Sequence, residues 1–322
     1  LWIGTKRGPE RKLVVDAKIP FKSIITVKWR RYFSWKSFFT PFLLLIVLFQ
    51  SAIIILKYRP RVILSAGSFV SVPLIWVGWC LRIPIMVYQQ DLQVGLANRL
   101  MTPMAKKIAV IWPELLTKFS SRKAIYTGAA VRLEIKRGNQ EKARQLFNLE
   151  TDLPTLLVMG GGTGARRINQ LIVEIIPQLT QFCQIIHLTG GKVDPSSIKE
   201  NSRYHPYNFL VKEMTDALAV ADLVICRAGM GTLTELSALG KPALIIPIAD
   251  NHQEINARYF ARQQAVIYLS EKGLNNQMLL EKIKYLLSHS EKLDKLSKQI
   301  KQLDHPEATD KIAHLAWEMM SK

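Results

Sequence analysis

Short apolar segments alternate with helix-forming segments along most of the chain, and this alternation restricts the possible folds more than any other feature. The apolar segments are "RVILSAG", "IPIMVYQQ" and "KIAVIW" before the segment "TGAAVR", and "TLLVMG", "CQIIHLTGG", "ADLVICRAG" and "KPALIIPI" after it. Continuous apolar strands separated by helices are typical of parallel sheets that are covered on both faces. The alternation of apolar and helix-forming segments is interrupted near "TGAAVR". The sequence therefore predicts an α/β protein with two doubly wound, Rossmann-like domains.

The positive charge of the chain is concentrated in its N-terminal part. Of the formal net charge of +19, residues 1–132 carry +17, from 21 Lys and Arg residues against 4 Asp and Glu residues. The same part contains the most apolar stretch, "PFLLLIVLFQSAIIIL". Basic and apolar character together favour an anionic membrane surface as a partner. No zinc-finger spacing, RNP-like aromatic pattern or basic-zipper heptad accompanies the charge, so no nucleic-acid partner is expected.

The apolar stretch, Pro41 to Leu56, is shorter than the roughly 20 residues that a helix needs to span a bilayer. Basic residues lie on both sides of it, which conflicts with the tendency of positive charge to stay on one side of a membrane. We therefore expect a helix buried in the first domain, with one edge contacting lipid, and peripheral docking of that domain. The residues expected on the headgroups or in the interface are Lys28, Arg30, Arg31, Tyr32, Phe33, Trp35 and Lys36.

The stretch "ADLVICRAGMGTLTELSALG" places a glycine turn between a buried strand and a helix. At such a turn, free backbone N–H groups and the positive end of the helix dipole face any anion that binds there. The alternative is a capping box, in which Thr232 caps the helix and Glu235 reaches back to the N–H of the cap. Taken alone, the stretch favours the capping box, because capping boxes are far commoner than ligand sites.

A second glycine loop, in "LLVMGGGTGARRIN", also lies between a strand and a helix. Glycines allow a phosphate or sugar to approach the backbone closely, but a tight strand–helix turn without a ligand explains them equally well. No Walker lysine follows either loop, which disfavours an ATPase, and no Asp-x-Asp pair offers a carboxylate clamp for a metal–diphosphate. We expect the helix dipole to neutralise a leaving diphosphate, without a metal ion or another cofactor.

Four segments, in the same order, resemble the MurG family, the bacterial N-acetylglucosaminyltransferases that convert lipid I to lipid II in peptidoglycan synthesis. They are "SAGSFVSVPLIWVGWCLRIPIMVYQQDLQVGLANRL", "TGAAVR", "GGGTGARRINQ" and "CRAGMGTLTELSALGKPALIIPIADNHQEINA". The closing "HPEATDKIA" is similar to the final helix of the family. The resemblance implies a GT-B fold, in which two Rossmann-like domains face a cleft. Residues 1–132, with a final helix at about 305–322, would bind the acceptor at the membrane, and residues 133–304 would bind UDP-GlcNAc.

The resemblance also implies roles for individual residues. Glu235 would bind the ribose of UDP, Val211 would hold the uracil through its backbone, and Gln253 would reach the sugar hydroxyls. The implied donor-side residues are Asp91, Arg132, Gly162, Val211, Met230, Gly231, Thr232, Leu233, Thr234, Glu235 and Gln253. Gly67 and Ser68, in another glycine loop, would contact the acceptor diphosphate. With this resemblance, Glu235 is interpreted as a ribose ligand and not as a cap.

The implied reaction is an inverting transfer of N-acetylglucosamine from UDP-GlcNAc to an undecaprenyl-diphosphate-linked acceptor. It would take place peripherally on the cytoplasmic face of the bacterial plasma membrane. A general base must take the proton of the acceptor hydroxyl. The sequence does not identify this base; Asp91 is a candidate, as the one carboxylate near the acceptor-side strand ends.

The sequence departs from the family pattern at the acceptor side. Gln89 stands where a carboxylate is usual, and the family's Gly-Gly-Thr-Gly-Gly-His loop would precede Leu1. Two alternatives therefore stay open. One is a related UDP-sugar transferase or epimerase that acts on another acceptor. The other is a catalytically impaired membrane protein that still binds the donor.

Overall fold

The computed structural model divides the backbone into two compact units. Unit 1 comprises Leu1–Gly128 and Glu307–Lys322, and unit 2 comprises Ala129–Pro306. Arg132, expected at the end of the first domain, therefore belongs to unit 2. The residues that the structure describes are 1–6, 8, 10–25, 40–160, 165–193 and 201–321, without the side chains of residues 40 and 41. The segment 26–39, expected to contact lipid headgroups, lies outside this range.

The described residues of unit 1 form two separate parallel sheets. Its described elements before residue 129 are β1 (Trp2–Gly4), α1 (Glu10–Asp16), β2 (Phe21–Ser23), α2 (Thr40–Tyr58), β3 (Ile63–Ser65), α3 (Ser71–Cys80), β4 (Ile85–Gln89), α4 (Leu96–Met101), β5 (Lys107–Val110) and β6 (Ala124–Tyr126). Strand β1 pairs with β2, and the second sheet has the order β3-β4-β5-β6. A cavity of about 1360 Å³ is lined by residues of both β1 and β3. Helix α4 ends at Met101 and leads into a 3-10 helix at Thr102–Met104, where Pro103 lies in the first turn and its missing N–H costs no hydrogen bond.

Helix α2 is buried along one side and exposed along the other. Val47, Ser51 and Ile55 are spaced four residues apart and are buried, and Val47 and Ile55 pack in one cluster with Leu74 of α3. The opposite face carries exposed apolar side chains at intervals of three or four residues: Phe42, Leu45, Phe49, Ile53 and Leu56. The helix is therefore buried along one side only, and the exposed apolar side corresponds to the edge that was predicted to contact lipid. The helix is apolar on all sides, so its sequence carries no periodicity from which the exposed side could be identified.

Among the residues that the structure describes, no helix combines the length and the apolar character needed to cross a membrane.

Unit 2 is built on one continuous parallel sheet. Its described elements are α5 (Gln140–Phe147), β7 (Thr155–Met159), α6 (Arg166–Leu179), β8 (Gln184–Leu188), β9 (Tyr204–Tyr207), α7 (Met214–Val220), β10 (Leu223–Cys226), α8 (Met230–Leu239), β11 (Ala243–Ile245), α9 (His252–Arg262), β12 (Ile267–Tyr268), α10 (Asn276–Leu287) and α11 (Ser290–Lys301). The strand order is β12-β11-β10-β7-β8-β9. Strands β7, β8, β10 and β11 are buried along their whole length. The loops at their carboxyl ends therefore start from a rigid edge, where ligands bind in sheets of this type.

The chain returns to unit 1 through its last helix, α12 (Ala308–Met320). Ala316 and Met319 of this helix pack in one buried cluster with Met86 of β4 and Ala109 of β5. The helix thus covers part of the four-stranded sheet.

Candidate functional site

The loop between β10 and α8 forms the centre of the candidate donor site. Strand β10 ends at Cys226, and α8 begins at Met230 after Gly229, which is the N-cap residue with φ −70° and ψ 133°. Glycine has no side chain, so α8 has no side-chain cap for the N–H groups of its first turn. These N–H groups point out of the helix end at which the dipole is positive. The turn can therefore receive an anion.

This geometry excludes the capping box that the stretch alone favoured. Thr232 lies inside α8, so it cannot be the residue before the helix. Helical backbone from Met230 onward buries the side chains of Met230 and Leu233 on one face, which a start at Thr232 would not do. The hydroxyl of Thr234 donates to the carbonyl oxygens of Met230 and Gly231, at 3.0 Å each. Burial of the apolar face thus fixes where the helix begins.

Open space surrounds the two glycines of this turn. A Cβ atom added at Gly229 or Gly231 would have no heavy atom within 4 Å. In contrast, the side chains of Leu233 and Thr234 are buried. Of the residues predicted at the helix start, these two therefore serve the packing of α8, and the exposed surface there is largely backbone.

Glu235, one turn into α8, forms an ion pair with Arg132. Nε and Nη2 of Arg132 approach Oε1 of Glu235 at 2.9 and 2.8 Å. The side chains are 51% and 22% exposed, so the pair is accessible to solvent. Both donors meet the same oxygen, and Oε2 has no hydrogen-bond partner within the described ranges. The structure thus brings together two predicted donor-side residues that are far apart in sequence.

Gln253 lies at the start of α9, which Asn251 caps through its Oδ1 by accepting the N–H of Gln253 at 3.2 Å. The Oε1 of Gln253 accepts the N–H of Ile248 at 3.4 Å, so the side chain folds back over the loop after β11. The side-chain NH₂ group of Gln253 has no acceptor in the part of unit 2 that the structure describes. It is available to a ligand.

Val211 lies in the exposed loop after β9 and is 48% exposed. Its backbone N–H donates to the carboxylate of Glu213 at 3.3 Å. A uracil contact through the backbone of Val211 would therefore use its carbonyl oxygen, or the N–H after this bond is broken. Gly162, another predicted donor-side residue, lies outside the described residues.

A buried polar network joins β8 to α6 and β9. His187 has no exposed surface; its Nε2 lies 3.1 Å from Oδ1 of Asn169, and its Nδ1 lies 2.9 Å from the hydroxyl of Tyr204. Asn169 donates its Nδ2 to the carbonyl of Thr189 at 2.8 Å, so its Oδ1 accepts a hydrogen bond from Nε2 of His187. With a lowered pKa, the imidazole is neutral at pH 7 and its Nδ1 accepts from the hydroxyl of Tyr204. Burial lowers the pKa of His187 to about 4 and raises the pKa of Tyr204 to about 12.

Sequence reasoning missed Arg227, which directly follows β10. The residue is only 9% exposed and pairs with Glu271, which lies 44 positions further along the chain. The available signal was a charged residue between a buried strand and the glycine turn. Its partner could not be found from sequence, because the pairing depends on how β10, β11 and β12 adjoin in the sheet.

In unit 1, the loops after β3 and β4 are joined by buried amides. Gly67 has a left-handed φ of +96°, and a Cβ there would lie 3.1 Å from Oδ1 of Asn98, so the position requires glycine. The side-chain amide of Gln89 donates to the backbone carbonyls of Asp91 and Gln93 and accepts from Nδ2 of Asn98. Gln89, which replaces the usual carboxylate, therefore fixes the loop that carries Asp91.

No group of three or more His, Cys, Asp or Glu side chains that could hold a metal ion occurs in the described parts of either unit.

Ser68, the second predicted acceptor-side residue, uses its Oγ to accept the N–H of Val70 at 3.4 Å. The residues predicted for the acceptor side thus lie in unit 1, and the described residues predicted for the donor side, other than Asp91, lie in unit 2.

Comparison with known proteins gives matches along most of the chain. The glycosyltransferase family 28 N-terminal domain matches residues 1–110, and the C-terminal domain of that family matches residues 155–312. The chain is 36% identical to the UDP-N-acetylglucosamine--N-acetylmuramyl-(pentapeptide) pyrophosphoryl-undecaprenol N-acetylglucosamine transferase of Geobacillus thermodenitrificans, over 92% of this chain and 84% of that protein. It is 34% identical to the transferase of the same name from Lachnoclostridium phytofermentans, over 100% of this chain and 91% of that protein.

Solved structures with the same fold include two kinds of protein. The crystal structure of MurG from Acinetobacter baumannii has a TM-score of 0.71 at 22% identity, covering 98% of this chain and 90% of that chain. A UDP-GlcNAc 2-epimerase from Neisseria meningitidis, bound to UDP-GlcNAc, has a TM-score of 0.70 at 14% identity with the same coverage. At these identities the likeness shows the GT-B fold, and the sequence relatives show the family. The chain belongs to the MurG family, within glycosyltransferase family 28.

Proposed function

We propose that this protein is an inverting N-acetylglucosaminyltransferase that converts lipid I to lipid II in peptidoglycan synthesis. The C4 hydroxyl oxygen of the N-acetylmuramoyl group of the acceptor attacks C1 of UDP-GlcNAc. A C1–O bond forms, the bond from C1 to the β-phosphate oxygen of UDP breaks, and a base takes the hydroxyl proton. The observation that carries the proposal is the open start of α8 beside the Arg132–Glu235 pair. Two relatives that bear this transferase name support it.

The donor diphosphate would bind at the first turn of α8. The N–H groups of Met230, Gly231 and Thr232 and the positive end of the helix dipole lie there, next to the open space at Gly231. Negative charge on the β-phosphate grows as the bond to C1 breaks. The helix start therefore stabilises the transition state more than the bound donor, which is the condition for catalysis.

Glu235 and Gln253 would bind the two sugar rings of the donor. Oε2 of Glu235 can accept hydrogen bonds from the ribose hydroxyls while Arg132 holds Oε1. The NH₂ group of Gln253 can donate to the N-acetylglucosamine hydroxyls, because its Oε1 is already used by Ile248. Each of these residues is oriented by a neighbour before a ligand binds, which reduces the entropy lost on binding.

In unit 1, Gly67 and Ser68 would contact the acceptor diphosphate, and Asp91 would take the proton of the acceptor hydroxyl. The support for Asp91 is its loop, which Gln89 and Asn98 fix at the end of β4. Replacing Asp91 by Asn should lower kcat and leave the affinity for UDP unchanged. A variant with wild-type kcat would exclude Asp91 as the base.

The transfer is tested with UDP-GlcNAc and a lipid I analogue that carries a short prenyl chain, with the product identified by mass spectrometry. We expect addition of one N-acetylhexosamine with release of UDP, and retention of most activity in excess EDTA, because a helix start takes the diphosphate charge. UDP binding without transfer would instead identify a donor-binding protein. Loss of transfer on chelation, with recovery in Mg²⁺, would contradict the role given to α8.

We also propose that unit 1 docks peripherally on the anionic cytoplasmic face of the plasma membrane. The exposed apolar face of α2, centred on Phe49, would enter the interface, and the exposed basic residues Lys57, Arg59 and Arg61 follow it directly. Attraction of basic residues to anionic lipid weakens with salt, whereas burial of apolar side chains does not. Co-sedimentation with anionic vesicles should therefore decrease in high salt. Equal binding to neutral vesicles would contradict the electrostatic part of the proposal.

A further inference from the structure

The side chain of Arg227 connects the donor turn to the loop after β11. Arg227 precedes the turn at Gly229, and its side chain is 10% exposed. Its Nη1 donates to the carbonyl oxygens of Ile246 and Pro247, at 3.0 and 3.1 Å. These carbonyls belong to the segment that leads from β11 to α9. One guanidinium thus holds two loops of the carboxyl edge of the sheet in a fixed relation.

Glu271, in the loop after β12, completes this arrangement. Its Oε1 accepts from Nη2 of Arg227 at 2.5 Å, and its Oε2 accepts the backbone N–H of Ala249 at 3.3 Å. The carboxylate therefore supplies both the charge that balances a largely buried guanidinium and an acceptor for the same loop. A largely buried charge that loses its partner is strongly destabilised, so Arg227 depends on Glu271 for its position.

The held segment determines where Gln253 lies. Ile248, between Pro247 and Ala249, donates its N–H to the Oε1 of Gln253 at 3.4 Å. From the other side, Nδ2 of the buried Asn256 in α9 donates to the carbonyl of Ala228 in the donor turn, at 3.2 Å. A displacement of the loop after β11 would therefore move Gln253 relative to the first turn of α8.

We propose that Glu271 is a positioning residue for the donor site: through Arg227 and the N–H of Ala249 it fixes the distance between the diphosphate-binding turn of α8 and Gln253. This inference rests on the proposed function, since it concerns how the same UDP-GlcNAc site is held. Glu271 itself contacts no donor atom in this account. Its effect on catalysis is exerted through the geometry of the two loops.

The test compares Glu271→Ala and Glu271→Gln with two control variants of unit 2. Lys142→Ala removes the partner of the buried Asp216 at 2.6 Å, a pair that contacts neither the turn before α8 nor the loop after β11, and so reports the effect of breaking an ion pair alone. Lys272, next to Glu271, pairs with Asp250 in the loop after β11; both side chains are largely exposed, so Lys272→Ala should remove a pair that contributes little to holding this loop. The KM for UDP-GlcNAc, kcat and the melting temperature are measured for each protein, together with UDP affinity by calorimetry.

We expect Glu271→Ala to raise the KM for UDP-GlcNAc on the order of tenfold with a smaller change in kcat, because displaced contacts reduce productive donor binding. Glu271→Gln keeps one acceptor oxygen and should recover part of this loss, to roughly threefold above wild type. Both control variants should keep the wild-type KM. Should Glu271→Ala fail to fold, the comparison of Glu271→Gln with Lys142→Ala still decides whether Glu271 positions the donor site.

A Glu271→Gln protein, or a folded Glu271→Ala protein, with wild-type KM would overturn the proposal, whatever its melting temperature. The role of Glu271 would then be structural, like that of the Lys142–Asp216 pair. Failure of the proposed function looks different, because the wild-type protein itself would then not transfer N-acetylglucosamine, whether or not it binds UDP.

Discussion

Unit 1 and unit 2 both contain parallel sheets. They differ in how completely they bury their apolar side chains and pair their polar ones. In unit 2, six strands form one continuous sheet, and ion pairs or buried networks fix polar residues such as Glu235, Arg227 and His187. In unit 1, the strands form two separate sheets, a cavity adjoins β1 and β3, and α2 exposes one apolar face. Unit 2 is thus organised for a small polar ligand, whereas unit 1 keeps apolar surface exposed.

This difference is expected if the two units bind substrates of different kinds. A nucleotide-sugar is recognised by hydrogen bonds, which need donors and acceptors held in place before binding. A lipid-linked acceptor lies at a membrane, where exposed apolar surface contributes to binding and need not be covered by protein. The contrast between a pre-organised unit and an incompletely covered one can be tested separately in each unit.

The largest expected effect is a loss of stability of unit 2 in mild acid. The folded protein holds His187 neutral down to a pKa of about 4, against the ordinary value of 6.5. The unfolded chain therefore binds one more proton between these values, and folding becomes less favourable as the pH falls from about 6.5 to about 4. The total loss from this group is about 3 kcal/mol. Hydrogen exchange at several pH values, read on peptides of unit 2, measures it.

The control for this effect is His187→Gln, which cannot take up the proton. This variant should have a flatter pH dependence than wild type between pH 6.5 and 4, even if its overall stability is lower. His205, whose pKa burial also lowers, remains in both proteins and cancels in the comparison. Tryptophan fluorescence cannot replace hydrogen exchange in this test, because all seven tryptophans lie in unit 1 and report on that unit alone. Equal pH dependence of wild type and variant would show that His187 does not cause the loss of stability in acid.

The next effect is on donor binding by unit 2. Glu235→Ala should weaken the binding of UDP-GlcNAc by about 1–3 kcal/mol, the range for a hydrogen bond to a charged group. Isothermal calorimetry measures the change, and Glu141→Ala, which removes an exposed carboxylate of α5, is the control. Unchanged UDP affinity would mean that Glu235 serves only to hold Arg132.

The sequence was sufficient to predict the fold because the strands of both units are continuous apolar runs. In β7, β8 and β10 every residue is buried, and most are apolar; Thr155, Gln184 and His187 are the polar exceptions. The start of α8 was harder to predict, because "GMGTLTE" fits a cap at Thr232 as well as a helix from Met230. Only the joint burial of Met230 and Leu233 decides between them.

A smaller effect is expected on membrane binding, which should depend on unit 1 and not on unit 2. Phe49 is 70% exposed on α2, and Phe49→Ser should weaken binding to anionic vesicles by about 1–2 kcal/mol, from the apolar area no longer removed from water. Its matched control is Leu146→Ser, at a half-exposed apolar residue of α5 in unit 2. Co-sedimentation at constant salt compares them. An equal loss for both variants would show that α2 is not the docking face.

The smallest effect is expected at Gly231, where stability and binding should change in opposite directions. Gly231→Ala places a methyl group in open space inside a helix, so unit 2 should gain about 0.4–1 kcal/mol of stability. The same methyl group would occupy the space proposed for the diphosphate, and UDP binding should weaken. A variant that is more stable and binds UDP normally would show that the diphosphate does not bind beside Gly231.

The contacts that orient the candidate site could not be predicted from sequence. Arg132 and Glu235 are 103 positions apart, and Arg227 and Glu271 are 44 apart. The first pairing depends on the packing of the 3-10 helix Leu133–Arg137 against α8. The second depends on the strand order of unit 2, in which β11 lies between β10 and β12. Residue types and motifs predict which positions would bind the donor, whereas the residues that hold these positions are set by tertiary structure.

The central claim is that unit 2 presents the uncapped first turn of α8 to the donor diphosphate. Hydrogen exchange of the full chain, with and without saturating UDP and resolved to single amides, tests it most directly. We predict that the N–H groups of Met230, Gly231 and Thr232 become protected when UDP binds, while exchange in α2 is unchanged. Binding of UDP that leaves these three amides exchanging as in the free protein would contradict the claim.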